Sequence, residues 1–320
     1  MMNSRYLHIF IVFMLLVTAL SSCRDKKPKD GRTDTFNTGT IEIYADSSFS
    51  PIVSEEVEVF ESRCFNADLV PKYTNESDGI NGVLDGKVWM MFASRRLSDK
   101  EIKFLHSKRF QPYNIPIGYD GFSLIINREN TDSCITVNNI KKILTGEVND
   151  WKQLNPKSNR GKIEVVFDNA RSGIVHFAED SILGGKPISN TNAFTTNSTE
   201  GVISYVESSP NAIGILGSNW LNDKRDSTNL TFKRNIRVMR VSRMEKATPY
   251  NSYLPYQGYL LNGNYPLVRT LYIILNDPHN GLPTGFSHFV ESPIGQKIIL
   301  KAGLLPYRGD LTIRKVKVTD

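Results

Sequence analysis

Three times along this chain a short apolar run gives way to a polar turn and then to apolar residues at helical spacing. Ile41 to Tyr44 passes through Asp46-Ser47-Ser48 into Ile52, Val53, Val57 and Phe60. Asp68 to Tyr73 passes through Thr74-Asn75-Glu76-Ser77-Asp78-Gly79 into Ile80, Val83 and Leu84. Ile163 to Phe167 passes through Asp168-Asn169-Ala170-Arg171-Ser172-Gly173 into Ile174, Phe177, Ala178 and Ile182. Each switch of period across a turn predicts a strand feeding a helix. Strands alternating with helices in this way require mainly parallel sheets with helices on their faces.

The remaining pattern extends the same class. Val88 to Ala93 is a strand ending at Ser94-Arg95-Arg96, and Gly121 to Asn127 is strongly β. Thr136 caps a helix with Val137, Ile140, Ile143 and Leu144 on one face, stopped at Gly146. Val202, Ile203 and Val206 mark another helix, and Leu271 to Leu275 another strand. One long final helix is expected from near Pro283, carrying Phe286, Phe289, Val290, Ile294 and Ile298.

The turns also suggest chemistry. A strand–turn–helix junction presents free backbone N–H groups and hydroxyls, which suit an anion. Any one of these turns is more simply a helix N-cap. Three together say more, because open α/β sheets bind ligands beyond the carboxyl ends of their strands.

With 320 residues, 40% hydrophobic and 22% charged, the chain is long enough for two folded units and is not composed like a disordered one. Its net charge of +6 comes from residues spread along the chain, with no basic helix or aromatic-basic repeat. That pattern argues for a generally basic surface and against a nucleic-acid partner. The N-terminus reads as an export signal. Arg5 precedes an apolar run from Ile9 to Leu20, short for a membrane-spanning helix, and the run ends in Leu20-Ser21-Ser22-Cys23. That ending is similar to a bacterial lipobox, in which the cysteine thiol receives a diacylglycerol group; an ordinary cleaved signal with a chance cysteine is the plainer alternative. Arg24 to Thr38 is polar and reads as a flexible tether. Of three cysteines, Cys64 and Cys134 remain beyond the anchor; an oxidising compartment allows a disulfide, but with the two in different lobes we expect two buried free thiols.

Several short segments in a shared order carry a family resemblance. They are Asp46-Ser47-Ser48-Phe49-Ser50-Pro51, Ala93-Ser94-Arg95-Arg96-Leu97-Ser98, Leu144 to Trp151, Ser172-Gly173-Ile174, Pro210 to Gly214, and Tyr265-Pro266-Leu267 with Leu271-Tyr272-Ile273. From about Ile41 to Pro306 the chain resembles the phosphate-binding component of phosphate ABC importers, a type II periplasmic binding protein family. The resemblance implies an α/β fold of two lobes, each a mainly parallel sheet flanked by helices, joined by two crossover strands. Residues 1–22 read as the signal peptide and 23–38 as the tether, and the family's crossover pattern implies the lobes. Residues 39–117 with 268–320 form the first lobe, and 118–267 the second.

The same resemblance implies a monomer that closes on a dehydrated oxyanion, inorganic phosphate first, and hands it to ABC permease subunits. It also implies a place on the periplasmic side of the cell envelope, anchored to the membrane by lipid at Cys23. No metal or other cofactor is implied. Carried over by position, the anion ligands are Ser48 and Phe49 in the first turn, Ser77 in the second, Ser94 after the third strand, and Ser172 with Gly173. The departures fall on the charges. Ile174 replaces the family's threonine, the family's arginine falls on Asp168, and a family carboxylate falls on Arg95. One reading is a charge swap, with Arg95 supplying the guanidinium and Asp168 accepting a proton from the ligand. The other has Asp168 capping its turn and Arg95 in a surface ion pair. Arg171 and His176 flank the same turn as alternative cations.

Other function classes leave less trace. There is no zincin helix, nucleophile elbow, glycine-rich nucleotide loop or Cys/His cluster, and with five histidines none stands beside an obvious nucleophile in sequence. We therefore expect a binding protein without catalytic residues. A binding lobe used for sensing an oxyanion or organophosphate without uptake is the alternative, and a phosphoester hydrolase the more distant one.

Overall fold

The computed structural model describes residues 31–222 and 232–309. The signal peptide, Cys23, much of the tether and the last residues of the chain lie outside the described residues. The chain divides into a short unit ending at Asp34 and a second from Thr35 onward. In the first, Arg32 pairs with Asp34 at 2.7 Å.

The second unit opens with β1 (Thr38–Asp46), α1 (Ser50–Arg63), β2 (Asn66–Thr74), α2 (Glu76–Leu84), β3 (Met90–Ala93) and α3 (Asp99–Ser107). β1 runs parallel to both β2 and β3. α1 buries Ile52, Val53, Val57 and Phe60 against this sheet. Full burial of such side chains is worth roughly 1.5–3 kcal/mol each, which exceeds what helix propensity supplies. α3 starts at Ser98, whose hydroxyl accepts from the Glu101 N–H while Glu101 reaches back to the Ser98 N–H.

A single 15-residue strand, β4 (Tyr113–Asn127), then crosses into the second half of the molecule. There follow β5 (Cys134–Thr136), α4 (Val137–Leu144), α5 (Trp151–Leu154), β6 (Glu164–Phe167), α6 (Gly173–Phe177), β7 (Ala193–Thr195), α7 (Thr199–Ser208) and β8 (Ala212–Gly217). α6 continues into a π-helical turn over Ala178–Ile182. β6 is parallel to β7 and β8, with β8 antiparallel to the far half of β4. β9 (Ile236–Val238) pairs with β4, and β10 (Arg240–Ser242) with β5. Two hydrophobic cores fill this half, one around Trp151 and Ile174, the other around Val202 and Leu216.

The chain passes α8 (Gln257–Leu261) and returns through β11 (Val268–Leu275), which pairs antiparallel with both β4 and β3. The two parallel sheets thus become one hydrogen-bonded path, β2-β1-β3-β11-β4-β8-β6-β7. β4 and β11 are the two crossover strands, and this α/β arrangement is the type II periplasmic binding protein fold.

The expected long final helix is in fact two, α9 (Leu282–Glu291) and α10 (Pro293–Lys301), before the short β12 (Leu305–Pro306). The break has a local cause. Ser292 is extended, its hydroxyl accepts from the Gly295 N–H, and Pro293 lacks the N–H that a continuous helix needs. Cys64 and Cys134 are both free but half-buried rather than buried, the first at the edge of the core around Phe60 and the second at the start of β5.

Candidate functional site

The carboxyl ends of β1, β2, β3 and β6 lead into turns that meet between the two halves. Each turn is fixed locally before it contributes anything across the cleft. Asp46 Oδ1 accepts from the Ser48 N–H at 2.9 Å and so caps the single 3-10 turn Ser47–Phe49. Asn75 caps α2 by accepting from the Asp78 N–H. Ser172 caps α6 by accepting from the Val175 N–H. A further turn follows β8, where Ser218–Trp220 forms another 3-10 turn, this one without a side-chain cap.

Two groups of buried charge result. The first lies on the crossover strands. Arg269 of β11 stands directly opposite Asp120 of β4 in register. Its Nε and Nη2 reach Asp120 Oδ2 at 2.8 and 2.6 Å, with both side chains fully buried. The other oxygen of Asp120 accepts from the Ser218 N–H and hydroxyl at 2.8 and 2.7 Å. The guanidinium lies 4.4 Å over the Phe49 ring and donates to Ser48 Oγ at 3.3 Å. Gly217 makes the close approach possible, since a Cβ there would stand 2.5 Å from Asp120 Oδ2 and 2.7 Å from Arg269 Nη2. Among the described residues Arg269 Nη1 has no hydrogen-bond partner.

The second group is acidic. Asp46, Glu76 and Asp168 are all buried. Asp46 Oδ2 accepts the Gly173 N–H at 2.9 Å, so its carboxylate joins the first turn of one half to the third turn of the other. Burial, with Glu76 and Asp168 nearby, pushes Asp46 up to about 6. Asp168 Oδ1 accepts from the Asn169 N–H and the Ser172 hydroxyl, both at 2.7 Å, while Oδ2 has no partner among the described residues. Burial raises the Asp168 carboxyl above its ordinary value. Glu76 differs. Burial would raise it too, but hydrogen bonds from His176 and from Ser94 hold it below the usual range. Ser94 donates its N–H and hydroxyl to Glu76 Oε1 at 2.6 and 2.8 Å.

His176 completes a relay across the cleft. Its Nδ1 donates to Glu76 Oε2 at 2.8 Å, and its Nε2 shares a 3.2 Å hydrogen bond with Ser77 Oγ. The Glu76 carboxylate raises the imidazole above its ordinary value. Nearby, Arg171 pairs with Asp78 at 2.6 Å across the same boundary, and both are half exposed. Ser48 O accepts from Asn219 Nδ2 at 3.0 Å and Trp220 Nε1 at 2.7 Å.

Ser48, Phe49, Ser77, Ser94, Asp168, Ser172 and Gly173 therefore gather in one interlobe cluster, with Arg171 at its rim. Arg95 does not join them as the ligand's guanidinium. It forms a two-pronged pair with Glu101 at 2.9 and 2.8 Å, the second carboxylate function of a helix cap. The guanidinium within the cluster is Arg269. It and Asp120 went unread in the sequence because each is a single charge within a β run, and the two are 149 positions apart. The available signal was an arginine on the buried phase of an alternating strand. Among the described residues, no group of three or more His, Cys, Asp or Glu could hold a metal ion.

Residues 30–293 match the PBP superfamily domain, and the chain belongs to that superfamily of two-lobed binding proteins. Its relatives include the phosphate-binding protein PstS of Borreliella burgdorferi, 23% identical over 304 residues that cover 93% of this chain and 97% of that protein. PstS of Staphylococcus epidermidis is 24% identical over 266 residues, covering 81% of this chain and 76% of the relative. A structure with bound phosphate from Clostridium perfringens, assigned as a phosphate ABC transporter substrate-binding protein, superposes with a TM-score of 0.69. It is 23% identical and covers 84% of this chain and all of its own, a likeness that establishes the fold.

Proposed function

We propose that this chain is an exported, lipid-anchored solute-binding protein that captures phosphate or a related oxyanion for an ABC importer. The observation that carries this reading is a pair of buried, unsatisfied groups in the cleft, the donor Arg269 Nη1 and the acceptor Asp168 Oδ2. A buried donor left unpaired costs about 1–3 kcal/mol, more if charged, so a ligand that meets it gains that amount. A free cationic donor and a free acceptor in one cluster would select a ligand that is anionic and still carries a proton. Hydrogen phosphate and hydrogen arsenate fit; sulfate has no proton to give Asp168.

The hydroxyls of Ser48, Ser77, Ser94 and Ser172 and the Phe49 and Gly173 main chain line the same seat in this reading. Residues 39–117 with 268–320 form one jaw and 118–267 the other. The anchor is Cys23, supported by the sequence around it, and the segment from there toward β1, which begins at Thr38 rather than after it, tethers a monomer to the membrane on the periplasmic side. The relatives named as PstS support the ligand class and the transport context.

The test is a thermal-shift panel on the chain from Arg24 onward, with phosphate, arsenate, sulfate, molybdate and a phosphonate. Ligand at about a thousand times its Kd stabilises the fold by roughly 4 kcal/mol. Shifts with phosphate and arsenate but not sulfate support the reading; no shift with any anion removes it. One observation favours a second reading, phosphoester hydrolysis. Glu76, His176 and Ser77 are ordered as the acid, imidazole and hydroxyl of a hydrolase. Turnover of p-nitrophenyl phosphate that disappears in Ser77→Ala would shift the conclusion to catalysis.

A further inference from the structure

Two main-chain donors of the cleft are already engaged, and by the chain itself. Both oxygens of one buried carboxylate are spoken for. Asp46 Oδ1 holds the Ser48 N–H of its own turn, and Oδ2 holds the Gly173 N–H of the opposite lobe, each at 2.9 Å. Two N–H groups converging from two lobes on two oxygens is the arrangement a small oxyanion would receive. Yet the surroundings of Asp46 suit a second negative charge poorly. Glu76 faces it from the start of α2 and Asp168 from the turn after β6. His176 of α6 acts on it from beyond Glu76, which already holds the imidazole. Arg269 of β11 reaches the adjacent Ser48 hydroxyl but is itself matched to Asp120. No cation in this group is left over for Asp46.

We infer that Asp46 is the cleft's resident ligand, a carboxylate seated on main-chain donors that an oxyanion requires, and that anion capture displaces it with uptake of one proton from solvent. This inference rests on the oxyanion reading above and adds its regulation. The incoming anion takes the Ser48 and Gly173 N–H groups and the free Nη1 of Arg269. The displaced carboxyl, now beside the anion as well as Glu76 and Asp168, leaves neutral. Capture is then strongest in mildly acid medium and weakens as pH rises.

The first measurement is hydrogen exchange at the Gly173 amide without added anion, in the wild type and in Asp46→Ala. The second is phosphate affinity from pH 5 to 8 by calorimetry, in both proteins and in Asp46→Asn, which keeps one acceptor for the Ser48 N–H should the alanine variant fold poorly. Phosphate's own ionisation enters every protein alike and cancels in affinity ratios. The expected result is a Gly173 amide protected in the wild type, exposed in Asp46→Ala, and protected again on adding phosphate. Both variants should bind more tightly than the wild type above pH 6, the ratio growing by about tenfold per pH unit.

A freely exchanging Gly173 amide in the unliganded wild type overturns the inference. So do equal affinities across the pH range, and in that case phosphate capture itself still stands. A protected amide that Asp46→Ala exposes, with no phosphate binding by any of the proteins, supports Asp46 as the resident ligand and retires phosphate as the solute.

Discussion

The two groups of buried charge in this molecule are built on opposite principles. On the crossover strands, Arg269 and Asp120 are matched, and Ser218 and Ser48 take up further hydrogen-bonding positions. A few ångströms away in the fold, Asp46 and Asp168 sit among other carboxylates, and both are raised above their ordinary values by burial. The first group resists change because removing either partner strands a charge. In the second, Asp46 and Asp168 hold their charge poorly and are suited to change with pH and ligand, while Glu76 keeps its charge against His176 and Ser94. A binding protein needs both, one to position the lobes and one to respond.

Removing half of the matched pair is the severest way to break that contrast. Arg269→Ala should lower the unfolding free energy by about 3–5 kcal/mol in urea titration, since Asp120 is left buried without its partner. The double variant Arg269→Met with Asp120→Leu should lose less than either single change. If it loses as much as their sum, the two residues are not acting as a pair.

The unmatched principle has its extreme in Glu56 of α1, which is fully buried with neither oxygen hydrogen-bonded among the described residues. Burial, with Glu55 beside it, pushes this carboxyl up to about 9. A carboxyl raised in the folded state favours folding most below its ordinary value, and that advantage is lost as pH rises through the raised one. Glu56→Met should therefore stabilise the protein by about 2–3 kcal/mol near pH 7, with a smaller gain at pH 5 and a larger one at pH 9. Melting curves at the three pH values give the answer, and a gain that does not grow with pH counts against a buried neutral acid.

Asp46 should behave as a milder case of the same kind. Its advantage is present below about pH 4 and lost as pH rises through about 6. Asp46→Asn should therefore match the wild type near pH 4 and exceed it by about 1–2 kcal/mol at pH 7, allowing for one lost N–H acceptor. The smallest effect belongs to the rim. Arg171→Ala breaks a half-exposed pair with Asp78 and should cost under about 1 kcal/mol, fading in high salt. A salt-insensitive loss there would mean that the rim is not a surface contact.

What the sequence revealed and what it concealed divide along the same line. The strand–turn–helix units were legible because their signals are local. Asp46, Asn75 and Ser172 each cap the structure that begins within three residues of them. The cluster was legible as a set of turns for the same reason. Its charges were not, because each takes its meaning from a distant partner. Asp46 reads as a cap until Gly173, 127 positions on, is brought to it. Arg95 stood where the family's pattern put a charge, but Glu101 six residues away claims it first. The break between α9 and α10 was legible in principle, in Ser292-Pro293, and was masked by the helical spacing of Phe289, Val290 and Ile294 across it.

The position of Trp220 has a practical consequence. Of the three tryptophans, Trp89 lies tilted against Phe110 in the first lobe, and Trp151 donates to Asn211 O within the second. Trp220 gives its indole N–H to the opposite lobe, at Ser48 O. Lobe separation would exchange that carbonyl for water. The chain thus carries an intrinsic optical gauge of its own opening, read from the emission wavelength without any label, with Trp220→Phe as the blank.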